Sequence, residues 1–356
     1  MKRILSLISL GALMCSLAVS CDKSGKDTPE IDETPTGYYI LNNGSYGYNN
    51  ANIAVYNPED KTLTADVFAT VNGKGLGDTA QDILVDGDDV YISVNVSQII
   101  FVTDKDLKIK KEIVASLADG TKLSPRYLAK GSNGKIYVTY YEGYLGEINT
   151  SDYSVRTTAV GPNPEGCAYI NGKIFVSNSG GYLYPTYNNT VSVVDATLFK
   201  ETQTVTVNTN PATMKADADN IYILSLGDYG ATPAKVQCIN ASTLKVTDLE
   251  YSSPSAIALS DDVLYVMCGG YDANWNPLPG TVYKHNVKTN AAEGAFVTDG
   301  TTLPQAYSLA ATSGYVWVGC SDYKNNGTMY VFTPDGKIFD TISDTAGLNP
   351  ITVSAK

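Results

Sequence analysis

Short apolar stretches that mix β-branched and aromatic residues recur along the chain at intervals of roughly 40 to 50 residues. The clearest are KIYVTY (135–140), KIFVSN (173–178) and NIYILS (220–225), each bounded by polar residues. Such residues favour extended strands, and the Gly, Asn and Asp residues between them favour tight turns. A pattern repeated at this spacing indicates one repeated β unit instead of a set of unrelated strands.

A proline-led segment precedes most of these strands. It consists of a proline, a few residues that end on an apolar one, and a polar turn. Two more strands complete each unit, and four strands in a unit of this length are typical of a β-propeller blade. The copies begin at Pro125, Pro164, Pro211, Pro254, Pro304 and Pro350, and Thr79 takes the same place in one further copy.

The two ends of this repeat region are incomplete and complement one another. The first unit contains YYIL (38–41), IAVYNP (53–58) and a predicted fourth strand in TADVFATV (64–71), but it lacks a first strand. The last unit, NPITVSAK (349–356), stops after its first strand. We therefore predict an all-β fold over residues 37–356: a seven-bladed β-propeller with four antiparallel strands per blade, whose C-terminal strand completes blade one. Such closure removes unpaired sheet edges.

The N-terminal residues have a different pattern. Lys2 and Arg3 precede an apolar run, and LAVSC (17–21) resembles a bacterial lipobox, so residues 1–20 are interpreted as a lipoprotein signal peptide and Cys21 as the lipidated residue. An ordinary secretory signal with a chance cysteine is the alternative. Residues 21–36 are polar, contain proline and lack periodicity, which predicts a flexible tether.

Charge and composition argue against several functions. A formal net charge of −12 opposes nucleic acid as a partner. His285 is the only histidine, so a His-ligated metal site or a Ser-His-Asp triad is hard to build, and we predict no metal, no cofactor and no enzymatic activity. The cysteines beyond Cys21 lack metal spacing; buried free thiols are favoured, and a disulfide stays open. They are Cys167, Cys238, Cys268 and Cys320.

Tyrosine is the compositional outlier, with 26 residues against 7 phenylalanines, and it concentrates in the loops between second and third strands. In a propeller these loops open on one face. Tyr among Asn, Asp and Gly is the mixture that antibody loops use for binding. We expect about half of the loop tyrosines to pack between blades, Tyr140 among them. The predicted ligand-binding residues are Tyr46, Tyr48, Tyr141, Tyr144, Tyr184, Tyr187, Tyr229, Tyr271, Trp275, Asn276 and Tyr323.

Several segments resemble a known family. The proline-led first strand and the IYV-type second strand are similar to YncE/YVTN-type propellers. GYYILNNGSYGYNNANIAVYNP (37–58), NGKGLGDTAQDI (72–83) and SPRYLA (124–129) are similar to surface lipoproteins of the cobalamin-capturing BtuG type, with Leu76-Gly77-Asp78-x-Ala80-Gln81 as the most specific phrase. The resemblance implies an outer-membrane lipoprotein that faces the cell exterior, captures cobalamin or a related corrinoid, and passes it to a TonB-dependent transporter of the BtuB type.

Two other functions remain open from the residues alone. An adhesion or assembly scaffold would use the same tyrosine-rich face to bind protein or glycan. A quinoprotein-like or lactonase-like propeller enzyme is the weaker alternative, because the sequence has a single histidine and a shortage of converging carboxylates.

Overall fold

The computed structural model describes residues 35–271, 277–312 and 314–356, and for Tyr271 and Pro277 it describes the backbone only. The predicted signal peptide (1–20), Cys21 and most of the predicted tether (21–36) lie outside these residues. Pro35–Lys356 forms one compact unit. No helix among the described residues is long and apolar enough to cross a lipid bilayer.

Seven four-stranded antiparallel sheets make up this unit, and each sheet is one blade. Blade one consists of β28 (Pro350–Ala355), β1 (Tyr38–Asn42), β2 (Asn52–Asn57) and β3 (Thr62–Thr64); blade two of β4 (Ala80–Asp86), β5 (Asp89–Val94), β6 (Ile99–Thr103) and β7 (Ile109–Ile113); blade three of β8 (Pro125–Lys130), β9 (Lys135–Tyr140), β10 (Tyr144–Asn149) and β11 (Val155–Ala159); and blade four of β12 (Pro164–Ile170), β13 (Lys173–Asn178), β14 (Thr190–Asp195) and β15 (Lys200–Thr206). Blade five consists of β16 (Pro211–Ala216), β17 (Asn220–Ser225), β18 (Lys235–Asn240) and β19 (Val246–Leu249); blade six of β20 (Pro254–Ser260), β21 (Val263–Tyr271), β22 (Pro277–Asn286) and β23 (Ala291–Ala295); and blade seven of β24 (Ala306–Thr312), β25 (Tyr315–Cys320), β26 (Thr328–Phe332) and β27 (Ile338–Ile342).

The ring closes as predicted. β28 pairs antiparallel with β1, so Ile40 lies opposite Val353 and Tyr38 opposite Ala355. Each first strand contacts the first strand of the next blade, and β28 contacts β4. The first strands therefore surround a central channel, and the prediction of an all-β, seven-bladed propeller is confirmed.

Packing between blades explains the apolar pattern of the second strands. Strands such as β9 and β13 are buried from their second residue onward because blades lie against both of their faces. Within the described residues, the buried apolar side chains form seven clusters, and each cluster joins two neighbouring blades. Burial of apolar surface between blades is thus the main force that holds the ring together.

The predicted strand at residues 64–71 is wrong. β3 ends at Thr64, and Val67–Asn72 forms the short helix α1. Phe68, on this helix, is fully buried, and its ring centroid lies 4.9 Å from that of Phe101 in blade two. Asn72 Nδ2 also donates to the carbonyl of Leu107 over 2.7 Å. The helix forms because it carries an apolar side chain across the gap between two blades, a contact that local strand propensity does not reveal.

The start of the repeat is also shifted in two blades. Strand pairing places Ala306, and not Pro304, opposite Cys320, where Pro254 in blade six lies opposite Cys268. Ala80 likewise replaces Thr79. In six blades the residue just before this position has a positive φ, which Asn tolerates best. These residues are Thr79, Asn163, Asn210, Ser253, Gln305 and Asn349.

The described cysteines are free thiols, and the histidine is buried and hydrogen-bonded. Cys167, Cys238, Cys268 and Cys320 are free thiols, and all but Cys238 are buried. His285 is buried, with Nδ1 3.2 Å from the hydroxyl of Tyr251 and Nε2 3.1 Å from Asn290 Oδ1. Both ring nitrogens thus have side-chain partners.

Candidate functional site

Tyrosine side chains stand exposed on the face where the second strands end, with exposed fractions between 54 % and 80 % for those at positions 46, 48, 182, 184, 229 and 323. Several of them meet through ring contacts, which sequence spacing does not show. We call the following residues the tyrosine rim: Tyr141, Tyr182, Tyr184, Tyr187, Tyr229, Tyr307 and Tyr323.

The long loop of blade four builds the first part of the rim. Gly180 has φ +65° and starts a single 3-10 turn, Gly181–Leu183. The amide of Tyr182 donates to Asn163 Oδ1 over 3.0 Å, and its ring lies edge-on to Tyr141 at 4.7 Å between centroids. A side chain at Gly181 would collide with the Tyr141 hydroxyl. Glycine at 181 is therefore what lets a ring from blade three pass under this loop.

The same loop continues into contact with blade five. Tyr184 lies 6.0 Å from Tyr187, and Tyr187 lies 6.0 Å from Tyr229, both in edge-on geometry. Tyr187 is half-buried between two more exposed rings. Edge-on pairs of this kind stabilise one another and hold their rings in defined orientations. Three rings from two blades thus form one continuous aromatic surface.

A repeated Asp-Tyr element presents two of the rim tyrosines. Tyr229 and Tyr323 both have positive φ, +57° and +61°, which is unusual for a bulky residue. The preceding Asp228 Oδ1 accepts two backbone amides at 2.8 Å, and Asp322 Oδ1 does the same at 2.8 and 2.9 Å. These bonds lower the pKa of Asp228 and bring that of Asp322 to about 2. Local backbone strain held by a turn of this kind is often found at functional sites.

Tyr307 connects the rim with the channel. The ring centroid of Tyr307 lies 5.5 Å from that of Tyr323 in the rim. Tyr307 is also the second residue of β24, the first strand of blade seven. Burial, with a smaller contribution from Tyr127, raises the pKa of Tyr307 to about 12. Its hydroxyl therefore stays protonated at neutral pH and can donate a hydrogen bond at the channel mouth.

Below the rim, the channel contains a cavity of about 360 Å³ with a charged wall. Arg126 pairs with Glu165: Nε donates to Glu165 Oε2 over 2.9 Å, and Nη2 donates to the same oxygen. Nη1 donates to Gln81 Oε1 over 2.8 Å. The guanidinium also faces the rings of Tyr141 at 5.1 Å and Tyr127 at 5.8 Å. We call Gln81, Asp82, Arg126, Tyr127 and Glu165 the channel cluster.

Burial and the neighbouring charges set the protonation of this cluster. Burial disfavours the charged form of Arg126, but the carboxylate of Glu165 outweighs it and raises the pKa of Arg126. Burial raises the pKa of Tyr127 to about 12. Burial also raises the pKa of Asp82 from 3.8 to about 6, although the amides of Leu128 and Ile83 and the cation of Lys215 oppose this shift.

The raised pKa of Asp82 should make the stability of the protein depend on pH. Its pKa is higher in the folded state than in the unfolded state, so folding favours the neutral carboxyl. The contribution of this group to the free energy of unfolding should fall as pH rises from about 4 to about 6, by about 3 kcal/mol at most. The measurement is urea unfolding of the wild type and Asp82→Asn between pH 4 and 8. A difference between the two proteins that does not change with pH would contradict the prediction.

The predicted site residues fall into three groups. Tyr141, Tyr184, Tyr187, Tyr229 and Tyr323 belong to the tyrosine rim. Tyr46 and Tyr48 are exposed on the blade-one loop, where Gly47 donates its amide to Asp78 Oδ2 over 2.9 Å, and no ring contact joins them to the rim among the described residues. Tyr144 begins β10 and packs half-buried against the cluster between blades two and three.

The rest of the prediction falls in blade six. Trp275 and Asn276 lie outside the described residues, and Tyr271 is described only as the last backbone position of β21. The roles of Tyr271, Trp275 and Asn276 in ligand binding therefore stay predictions.

Tyr140, at the end of β9 in blade three, is fully buried, as expected for a tyrosine that packs between blades.

The sequence prediction missed the channel cluster. Each of its members lies in an ordinary first strand, and the loops drew attention away from them. A signal was present, however: Gln81, Arg126, Glu165 and Tyr307 each follow directly after the residue that starts the first strand. Aligned blades would have placed all four at one height in the channel. The structure also brings two carboxylates, Asp82 and Glu165, to one cavity.

No group of three or more His, Cys, Asp or Glu side chains with metal-binding geometry occurs in the part of the chain that the structure describes. The described side chains of the site offer phenol rings and hydroxyls, the amide of Gln81, the carboxyl of Asp82 and the ion pair of Arg126 and Glu165. Such a set suits non-covalent recognition of a ligand with both apolar and hydrogen-bonding surfaces.

Comparison with known proteins identifies the fold. No protein-family model matches the chain, and no curated protein matches its sequence. A quinoprotein alcohol dehydrogenase-like protein from Bacteroides thetaiotaomicron is 16% identical with a TM-score of 0.62, over 90% of this chain and 78% of that chain. The computationally designed Ika8 protein is 13% identical with a TM-score of 0.58, over 89% and 91%. Hydrazine synthase from Kuenenia stuttgartiensis is 14% identical with a TM-score of 0.55, over 70% and 74%.

At these identities the similarity shows the fold alone. The resemblance to YncE and BtuG-type propellers is not confirmed by these comparisons and stays a hypothesis. The chain is a seven-bladed β-propeller.

Proposed function

We propose that this protein binds a broad, flat, amphipathic small molecule on its tyrosine rim, and that the ligand is cobalamin or a related corrinoid. The observation that carries the proposal is the continuous aromatic surface of Tyr184, Tyr187 and Tyr229 on the loop face of the ring, whose channel is lined in part by polar and charged side chains. A corrin ring has apolar faces and a fringe of amides, so it complements both parts of this surface.

The size of the site supports a ligand that lies across the rim. The cavity of about 360 Å³ admits a side group but not a whole corrinoid. The exposed rings of Tyr182, Tyr184 and Tyr229 offer rigid apolar area at a low cost in conformational entropy. A fully buried aromatic ring removes on the order of 150–250 Å² from water, which makes each of these rings a strong contributor to affinity.

Sequence features support the proposed location of the protein in the cell. The lipobox-like LAVSC segment and the polar tether support a lipid anchor at Cys21, and the resemblance to BtuG-type lipoproteins supports an outer-membrane position that faces the cell exterior. From there the protein would pass its ligand to a TonB-dependent transporter of the BtuB type. The proposal assigns the protein capture and transfer, without a chemical step.

The test is calorimetric and absorbance titration of the purified domain with cyanocobalamin. We expect binding by the wild type and a loss of affinity of roughly 10- to 100-fold for Tyr187→Ala and for Tyr229→Ala, because each removes one of the three rings of the aromatic surface. Leu198→Ala is the matched control, since Leu198 is a large exposed side chain in the turn between β14 and β15. Its affinity should equal that of the wild type.

Two outcomes would overturn the proposal. If the wild type gives neither heat nor a spectral change at micromolar cyanocobalamin, the ligand is not of this class. If the wild type binds but both tyrosine variants bind equally well, the rim is not the site. In the first case, retention on immobilised glycans or outer-membrane proteins that is lost in Tyr187→Ala would favour the adhesion or scaffold function.

A further inference from the structure

The ion pair between Arg126 and Glu165 occupies an unusual position. Arg126 follows Pro125 and Glu165 follows Pro164, so the two side chains lie at the same height in neighbouring blades, where they line the channel cavity. Their side chains are only 20% and 12% exposed. An ion pair with so little solvent must recover its lost hydration through hydrogen bonds.

Arg126 and Glu165 do not use all of their hydrogen-bonding groups on side chains or amides of the described residues. Arg126 uses one N–H from Nε, one from Nη2 and one from Nη1 for Glu165 and Gln81. A guanidinium has five N–H groups, so two are left over. Glu165 Oε2 accepts both bonds from Arg126, whereas Oε1 accepts none from any side chain or amide in the described ranges. Within the described residues, the ion pair therefore has both a spare acceptor and spare donors.

We propose that Arg126 and Glu165 form a subsite for a primary carboxamide and that this subsite rejects a carboxylate. An amide oxygen accepts from the spare N–H of Arg126 while the amide NH₂ donates to Glu165 Oε1. Both partners are satisfied without the addition of net charge. A carboxylate offers only acceptors, so it leaves Oε1 without a donor and places a third negative group beside Glu165 and Asp82.

The rest of the cavity fits a group of this size. Blades five and six contribute the short side chains of Ala212, Ser255 and Ala256 to the cavity lining, together with larger apolar ones. The Tyr127 and Tyr307 hydroxyls are protonated donors at the same mouth. Together they surround a pocket that is large enough for an amide-tipped side group.

This inference deepens the proposed function, because a corrin is fringed with such amides, but its test does not need a corrinoid. The probes are propionamide and propionate at pH 7.5, titrated into the folded domain and followed by the Nε–Hε NMR signal of Arg126 and by the backbone amide signals of residues 126 and 165, which remain observable in every variant. We expect propionamide to bind at least 10-fold more tightly than propionate. Equal or tighter binding of propionate would overturn the inference.

A variant of Glu165 tests whether this residue causes the preference for propionamide over propionate. Glu165→Gln should bring the amide-to-carboxylate preference close to one, because it removes the charge that repels propionate. Glu112→Gln is the matched control: Glu112 also pairs with a cation, Lys74, but lies in β7 on the outer part of blade two. It should retain the full preference. A Glu165→Gln protein that keeps the wild-type preference would contradict the assignment.

A second variant, Arg126→Lys, tests the subsite independently if Glu165→Gln does not fold. Arg126→Lys keeps the positive charge but removes the planar fork of donors, and it should weaken propionamide binding at least 10-fold. Unchanged propionamide affinity in Arg126→Lys would overturn the inference. A cyanocobalamin titration separates the two proposals: amide preference without corrinoid binding refutes only the proposed ligand, and corrinoid binding without amide preference refutes only the subsite.

Discussion

Trp317→Ala is expected to lower the free energy of unfolding by about 3–5 kcal/mol, the range for loss of a large aromatic side chain from a core. Trp317 is fully buried between blades seven and one. Its ring lies 4.8 Å from Tyr38 and 5.8 Å from Tyr56, both in blade one. The substitution leaves a cavity at the seam where the ring closes. Urea unfolding followed by far-UV circular dichroism measures the loss.

Two controls accompany this prediction. Trp317→Phe should cost much less, because it retains most of the ring and removes a buried indole N–H that has no hydrogen-bond partner among the described residues. Tyr182→Ala removes an exposed ring from the rim and should change stability by less than about 0.5 kcal/mol. A cost below about 1 kcal/mol for Trp317→Ala would show that the seam is not a principal stabilising contact.

Removal of residues 350–356 is expected to abolish cooperative folding. These residues form β28, which pairs along the whole of β1, and every residue of β1 is buried. Their loss opens the ring and exposes an apolar strand edge, which favours aggregation. Buried contacts beside the seam would also be lost, including the bond from Ser308 Oγ to the carbonyl of Pro350.

The measurements are gel filtration, near-UV circular dichroism and a urea transition. The matched control is removal of Lys356 alone, which leaves β28 intact and loses one backbone hydrogen bond to Gly37 and one exposed ion pair with Asp106. That protein should fold with a nearly unchanged midpoint. A cooperative transition at the wild-type midpoint after removal of residues 350–356 would show that six blades and an open sheet suffice.

Part of the candidate site was readable from the sequence and part was not. The loops with exposed tyrosines were predicted because glycine, asparagine and tyrosine mark long connections between strands. Tyr141 and Tyr144 looked equivalent in the sequence. The structure separates them, since Tyr144 is the first residue of β10 and packs against the cluster between blades two and three, whereas Tyr141 lies in the turn and reaches Arg126.

The contact between Tyr187 and Tyr229 and the pair of Arg126 and Glu165 join residues from different blades. Nothing local in the sequence specifies these contacts, because they depend on the angle and height at which neighbouring blades pack. The same reason explains the missed helix α1, whose Phe68 finds its partner in blade two.

The sequence by itself determined the blade repeat, the count of seven and the closure by β28, because strand alternation, turn residues and two complementary ends are local features that repeat. Only the tertiary structure decided which tyrosines form one surface, that a charged cluster lies in the channel, and that Arg126 pairs with Glu165 there. Those properties arise when the ring brings residues far apart in the chain to one end of the channel, where burial and neighbouring charges then determine their chemistry.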